Sequence, residues 1–146
     1  MSFDYGSNTS FETDVAGRLL LGFGALVALV ATAGSLYLSL GLGLIPCELC
    51  WYQRILMYPL VVVLGVACLE NRKSAYRTAV PLAAVGGTIA AYHSYIQLYP
   101  HASQCTVGCS TVQYTVFGLT VPNLSLTAFV IVLLTMGWLR YATGPP

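Results

Sequence analysis

Cys47 and Cys50 stand three positions apart at the start of a long apolar stretch, and Arg54 follows four residues after the second of them. The run reads Pro46-Cys47-Glu48-Leu49-Cys50-Trp51-Tyr52-Gln53-Arg54. Two sulfurs at this spacing can close a disulfide or share a metal ion. An arginine inside apolar sequence of membrane length is costly to bury and usually has a function. Pro46 favours a helix that starts near Cys47. The early amides and positive dipole end of that helix favour a thiolate on Cys47 or Cys50, opposed weakly by Glu48. On a helix, positions 47, 50 and 54 share a face, with Arg54 about one turn deeper than Cys50. Three more cysteines follow: Cys68 alone, then Cys105 and Cys109 as a second close pair.

The elements that must position these residues are membrane helices. Of the 146 residues 57% are hydrophobic and only 8% charged, against about 25% charged in ordinary soluble domains. A chain of this size cannot hide so much apolar surface from water, so lipid is its main solvent. No basic run points to nucleic acid, and no Gly-rich loop points to a phosphate. Four apolar stretches, at about 17–43, 47–69, 78–99 and 123–141, meet or approach the roughly 20 residues a bilayer helix needs. None alternates like a barrel strand. Short links at 44–46 and 70–77 predict antiparallel neighbours, hence an all-α, four-transmembrane-helix antiparallel bundle in one domain, with a longer connection at 100–122. Ala31-Thr32-Ala33 has the look of a signal-peptidase site. Apolar sequence continues past it, however, and the preceding region is acidic, so the first span is expected to stay in place.

Orientation follows from the basic residues. Arg18 precedes the first span, Arg72, Lys73 and Arg77 lie between the second and third, and Arg140 ends the fourth. The excess of positive charge on these segments predicts that both termini and the 70–77 loop are cytoplasmic. Arg54 alone departs from the pattern. Cys47, Cys50, Cys105 and Cys109 then face the outside, where disulfides persist, while Cys68 sits at the cytoplasmic end as an inert buried thiol. Three readings of the outward cysteines stand side by side. They form two structural disulfides, although such small loops stabilise least; or four thiolates hold zinc; or one pair passes electrons to the other by thiol–disulfide exchange.

A polar layer lies beneath the first pair. Arg54 is expected about 10 Å below Cys47, from seven residues at helical rise. His93 precedes Pro100 by the same seven residues and reaches a similar depth from the third span, with Gln53, Ser94 and Gln97 near that level. Arg54 could instead snorkel toward outer headgroups, and a lone histidine is commonly a satisfied interior one. Both at one depth under a Cys-x-x-Cys point to a site for an amphipathic oxidant with carbonyl oxygens, whose developing negative charge Arg54 would stabilise. A quinone is the lipid-soluble candidate. Trp51, Tyr52, Tyr95 and Tyr99 read as outer belt anchors, and Trp138 and Tyr141 as inner ones. The imperfectly alternating stretch 111–121 leaves open a surface segment or a small hairpin.

The run from Cys47 to Pro59, Cys47-Glu48-Leu49-Cys50-Trp51-Tyr52-Gln53-Arg54-Ile55-Leu56-Met57-Tyr58-Pro59, resembles the signature of the DsbB/BdbC disulfide-bond-formation family. His93-Ser94-Tyr95-Ile96-Gln97-Leu98-Tyr99-Pro100 followed by Cys105 is similar to that family's third span and second outer loop. The likeness covers about residues 20–140. It implies a quinone-dependent protein thiol-disulfide oxidoreductase in the cell (inner) membrane, which reoxidises a soluble, DsbA-like thioredoxin-fold thiol oxidase and uses ubiquinone or menaquinone. Carried over by position, Cys50 would face the quinone in an adduct or charge-transfer contact, and Cys47 would exchange with the loop pair. Cys105 would take the partner's attack, with Cys109 resolving the mixed disulfide. Arg54 would line the quinone site with His93 nearby, and no residue is assigned to a metal. Two departures stand out: Cys105 and Cys109 are closer than the loop pair of the enterobacterial branch, as in the BdbC branch, and Gln53 stands where an acidic residue often precedes the arginine. A vitamin K epoxide reductase-type quinone enzyme is the nearest rival, but there the active Cys-x-x-Cys comes late in the bundle.

Overall fold

The computed structural model describes residues 5–99 and 114–144. Four long helices dominate them: α1 (Tyr5–Leu36), α2 (Glu48–Glu70), α3 (Tyr76–Leu98) and α4 (Val121–Thr143). Each packs on two neighbours in the ring α1–α2–α3–α4, which closes where α4 meets α1. Three of them, α1 with its continuation to Gly41, α2 and α4, are long and apolar enough to cross a membrane. The fourth, α3, is as long as α2 and α4 at 23 residues. Most of its buried face is small residues, Ala79, Ala83, Gly86, Gly87 and Ala90, with Ile96 near its end. Small residues at a helix interface let backbones approach, which is how membrane helices gain packing energy where burial from water gives none. Phe129 of α4 uses that approach: a Cβ on Gly86 would sit 2.3 Å from its ring carbons.

The apolar spacing explains which face turns inward. On α2 the buried residues are Gln53, Met57, Leu60, Leu64 and Ala67, an alternation of four and three that marks one stripe of a helix. On α3 the stripe runs through Ala79, Ala83, Gly86, Ala90 and His93. Toward the same end of the bundle each stripe carries a buried polar side chain, Gln53 at the start of the α2 stripe and His93 one turn before Ile96 on α3. Leu21 and Ala28 of α1 and Phe129, Val132, Met136 and Leu139 of α4 complete the core. The outward faces carry exposed Leu19, Leu26, Val62, Leu69, Leu134 and others, as expected where lipid is the solvent.

The ends differ from the expected spans in three ways. α1 begins well before residue 17 and carries Asp14, whose carboxylate accepts from Lys73 Nζ at 2.5 Å. Beyond Leu36 the helix widens into a π segment, Tyr37–Gly41, closed by the amide of Leu42 donating to the Tyr37 carbonyl at 3.2 Å. Pro46 stands before the cap of α2 rather than inside its first turn, because Cys47 is the extended N-cap residue (φ −70°, ψ 169°). α2 ends at Asn71, which takes the left-handed conformation (φ 52°) that asparagine tolerates at such ends. A 3₁₀ turn, Lys73–Ala75, leads into α3. The described part of the 111–121 stretch is a small antiparallel hairpin, β1 (Thr115–Val116) and β2 (Leu119–Thr120), turning through Phe117 and Gly118, both at positive φ. Two positive φ values are what a two-residue turn of type I′ requires.

Candidate functional site: a cysteine pair above an apolar cavity

The N-terminus of α2 brings the first cysteine pair together. Cys47 caps the helix, Cys50 lies in its first turn, and their sulfurs are 3.0 Å apart. Both are half-buried and both line a cavity of ≈ 740 Å³, within the range of small-molecule sites. α1 with its π segment, α2, α3, the hairpin and α4 all contribute to the wall. Most of that wall is apolar, with Leu26, Val30, Met57, Ala128 and Ile131 among its residues, and the polar groups are few.

Arg54 lines the cavity, and α1 holds it there. Its Nε donates to Ser35 Oγ at 2.6 Å, and its Nη2 donates to the Ser35 carbonyl at 2.7 Å and also to Ser39 Oγ. The Trp51 ring lies 5.8 Å from the guanidinium carbon. The side chain therefore does not snorkel outward. All of its acceptors are neutral, and no carboxylate pairs with it among the described residues. A guanidinium fixed by neutral partners keeps its charge available to whatever enters the cavity. Ser35 and Ser39 were not legible in the sequence. They reach Arg54 where α1 passes into its π segment, and π turns interrupt helices most often at functional sites. A polar pair four apart within an apolar span was the available signal.

His93 lines the same cavity as Arg54. Its Nε2 lies 3.7 Å from Cys47 Sγ, and its Nδ1 is 3.0 Å from Gln53 Nε2. Both His93 and Gln53 are buried. With the Gln53 amide N–H donating to Nδ1, the proton of the neutral ring lies on Nε2 and faces the Cys47 sulfur. Neighbours in sequence, Gln53 and Arg54 diverge around α2: one serves α3, the other α1. Gln53 thus joins the site as the residue that fixes the histidine ring, and its place at the head of the buried stripe was the signal for it. Gln97 and Thr32 also line the cavity, and their Oε1 and Oγ1 atoms are buried without a hydrogen-bond partner among the described residues.

The remaining sequence candidates fall elsewhere. Cys105 and Cys109 lie outside the described residues. Cys68 is half-buried rather than buried, and its thiol donates to the Arg18 carbonyl at 3.5 Å, at the far end of α2 from the pair. Trp51, Tyr52, Tyr95 and Tyr99 near the cysteine end, and Trp138 and Tyr141 near the other, are all exposed, as belt residues are. The arrangement offers a thiol pair, an acid–base group against one sulfur, and a fixed positive charge one turn deeper, all open to one apolar cavity.

Comparison with known proteins bears on the same residues. The family model described as "Disulfide bond formation protein DsbB" matches residues 17–139. The chain is 42% identical to "Disulfide bond formation protein C" of Bacillus subtilis over 121 residues, covering 79% of this chain and 88% of that one. It is 38% identical to a "Probable disulfide formation protein" of Metapseudomonas resinovorans over 127 residues, 82% of this chain and 88% of the relative. A protein of the same description from Deinococcus radiodurans is 38% identical over 147 aligned positions, 88% and 92% of the two chains. No solved structure matches.

Proposed function

This chain belongs to the DsbB family of disulfide bond formation proteins, and from that premise we infer that it is a membrane thiol oxidase that draws electrons from a soluble, thioredoxin-fold, DsbA-like dithiol and delivers them to a membrane quinone. The observation that carries the reading is the shared cavity, which joins the Cys47–Cys50 pair to the Arg54 guanidinium through an otherwise apolar wall. The residues present suit a quinone: the apolar lining accepts a ring and tail, and the charge of Arg54 meets a carbonyl oxygen. When bound, a quinone supplies an acceptor for two electrons and two protons.

The protein's own groups divide the work. A partner thiolate attacks the disulfide of the loop pair at Cys105, and Cys109 leaves as thiolate; the partner's second thiol then releases it as a disulfide. The reduced loop pair passes the two electrons on by exchange at Cys47, which reduces the Cys47–Cys50 disulfide. His93 Nε2 holds or moves a proton at the Cys47 sulfur, and Gln53 keeps the ring in the tautomer that faces it. Cys50, in the first turn of α2 on the cavity wall, is the sulfur from which electrons leave. Arg54 stabilises the negative charge that develops on oxygen. The net change is one partner disulfide and one quinol per cycle. The cysteine end of the bundle faces the extracytoplasmic side of the cell membrane, with both termini in the cytoplasm.

The test is the purified protein in detergent with a reduced thioredoxin-fold donor and a short-chain quinone analogue. Donor oxidation and quinone reduction should run one to one, and Cys50→Ser should abolish both. A Cys50→Ser protein with full activity overturns the reading.

A further inference from the structure

We propose that the fully reduced protein binds a thiophilic divalent cation of the zinc type through Cys47 Sγ, Cys50 Sγ and His93 Nε2. These three atoms lie within 4.8 Å of one another, on side chains that are half-buried, half-buried and buried. Cys47 Sγ is 3.0 Å from Cys50 Sγ and 3.7 Å from His93 Nε2. A tetrahedral zinc ion, with bonds of about 2.3 Å to sulfur and 2.0 Å to nitrogen, separates two sulfurs by about 3.8 Å and sulfur from nitrogen by about 3.6 Å. The Cys47–His93 distance is already met, Cys50 Sγ lies within 4.8 Å of His93 Nε2, and the sulfurs need to part by roughly 0.8 Å. Cys47 can supply that movement by turning its side chain, because it caps α2 in extended conformation and its side chain makes no cap hydrogen bond.

The surroundings suit a metal as well as the donors do. A histidine ligand usually has its second nitrogen fixed by a carbonyl or carboxylate. Gln53, at 3.0 Å from Nδ1, does so once its carboxamide turns by half a revolution to accept from Nδ1–H. Two thiolates neutralise a divalent ion, so the complex adds no net charge to an apolar cavity that already holds Arg54. The same cavity leaves room for water as the fourth ligand, the open position of many three-ligand sites. Binding is ligand exchange without electron transfer: two thiols and one M²⁺ give a dithiolate complex and two protons released to solvent. It differs from a four-thiolate site, since the loop pair contributes nothing and a histidine takes part. Oxidation of the pair to a disulfide removes the site. A bound cation conversely holds both sulfurs as thiolates, so it acts as an inhibitor of the reduced state. That inhibition rests on the oxidase reading; the binding does not.

The experiment uses the full chain carrying Cys105→Ser and Cys109→Ser, reduced, freed of metal and titrated in detergent with Co²⁺ and then Zn²⁺. A thiolate-to-cobalt charge-transfer band with tetrahedral d–d absorption should saturate at one equivalent and be displaced by zinc. His93→Ala should weaken binding by about tenfold or more, and Gln53→Ala by a similar factor. X-ray absorption at the zinc edge of the histidine-containing protein should report two sulfurs and an imidazole nitrogen, whether or not the His93 variant folds. Absence of the charge-transfer band, a zinc sphere without imidazole, or unchanged affinity in a folded His93→Ala protein overturns the proposal. None of these readouts involves a quinone or a donor, so their failure is distinct from failure of the oxidase reading.

Discussion

At the scale of single residues, the site is a division of labour between two neighbours on α2. Arg54 turns to α1, where Ser35 and Ser39 hold its guanidinium; Gln53 turns to α3, where it fixes His93 against Cys47. Arg54→Ala should raise the KM for a quinone analogue by about tenfold or more, as loss of one charge-assisted contact does, while leaving exchange between the donor and the cysteines intact. An unchanged KM would remove Arg54 from the quinone site. Gln53→Leu should act differently, slowing reduction of the Cys47–Cys50 pair with little change in quinone KM, because the ring it positions faces sulfur; single-turnover reduction by a donor measures this. Much of the site was legible. The cysteine spacing and the lone intramembrane arginine mark it on their own, and the burial of Gln53 and His93 follows from the stripes they lie on. The serine partners were not legible, because a π segment shifts the register of α1 and nothing in a run such as Ser35-Leu36-Tyr37-Leu38-Ser39 announces that shift.

At the scale of elements, the packed core depends on how closely α3 approaches α4. Gly86 permits the approach, since any Cβ there would overlap the Phe129 ring at 2.3 Å. At Gly87 the nearest atom to a new Cβ is Phe129 Cβ, at 3.5 Å, an ordinary contact. Gly86→Val should therefore destabilise the bundle by about 1–3 kcal/mol, the usual cost of overpacking a filled core, and lower Tm in detergent. Gly87→Ala should leave Tm nearly unchanged. Equal behaviour of the two variants would contradict this account of the α3–α4 seam. Hydropathy was enough to find all four helices. The first helix extends past its apolar stretch, because helix continues wherever backbone bonds can be made: α1 runs back through Asp14, whose pairing with Lys73 ties it to the turn before α3. The hairpin was ambiguous from alternation alone. The Phe117-Gly118 turn decides it, and it places a fully exposed phenylalanine in a positive-φ conformation that few sequence rules would assign.

At the scale of the whole molecule, the bundle has two chemically distinct ends. One gathers the basic residues: Lys73 meets Asp14, the Arg18 carbonyl meets Cys68, and Arg140 lies over the Tyr76 ring, 5.6 Å from its centre. The other gathers Cys47, Cys50, His93 and the polar mouth of the cavity. From the distribution of positive charge we propose that the first end is cytoplasmic. A green fluorescent protein fused to the C-terminus should accordingly fluoresce and an alkaline phosphatase fused there should be inactive, with the reverse pattern contradicting the orientation. The central claim is that the α2 pair itself delivers electrons into the Arg54-lined cavity. The most direct measurement is an anaerobic single turnover of the Cys105→Ser, Cys109→Ser protein, reduced beforehand and mixed with one equivalent of quinone analogue in the absence of any donor. The predicted result is one quinol formed per protein together with a Cys47–Cys50 disulfide; quinone left unreduced while both thiols remain titratable would contradict the account.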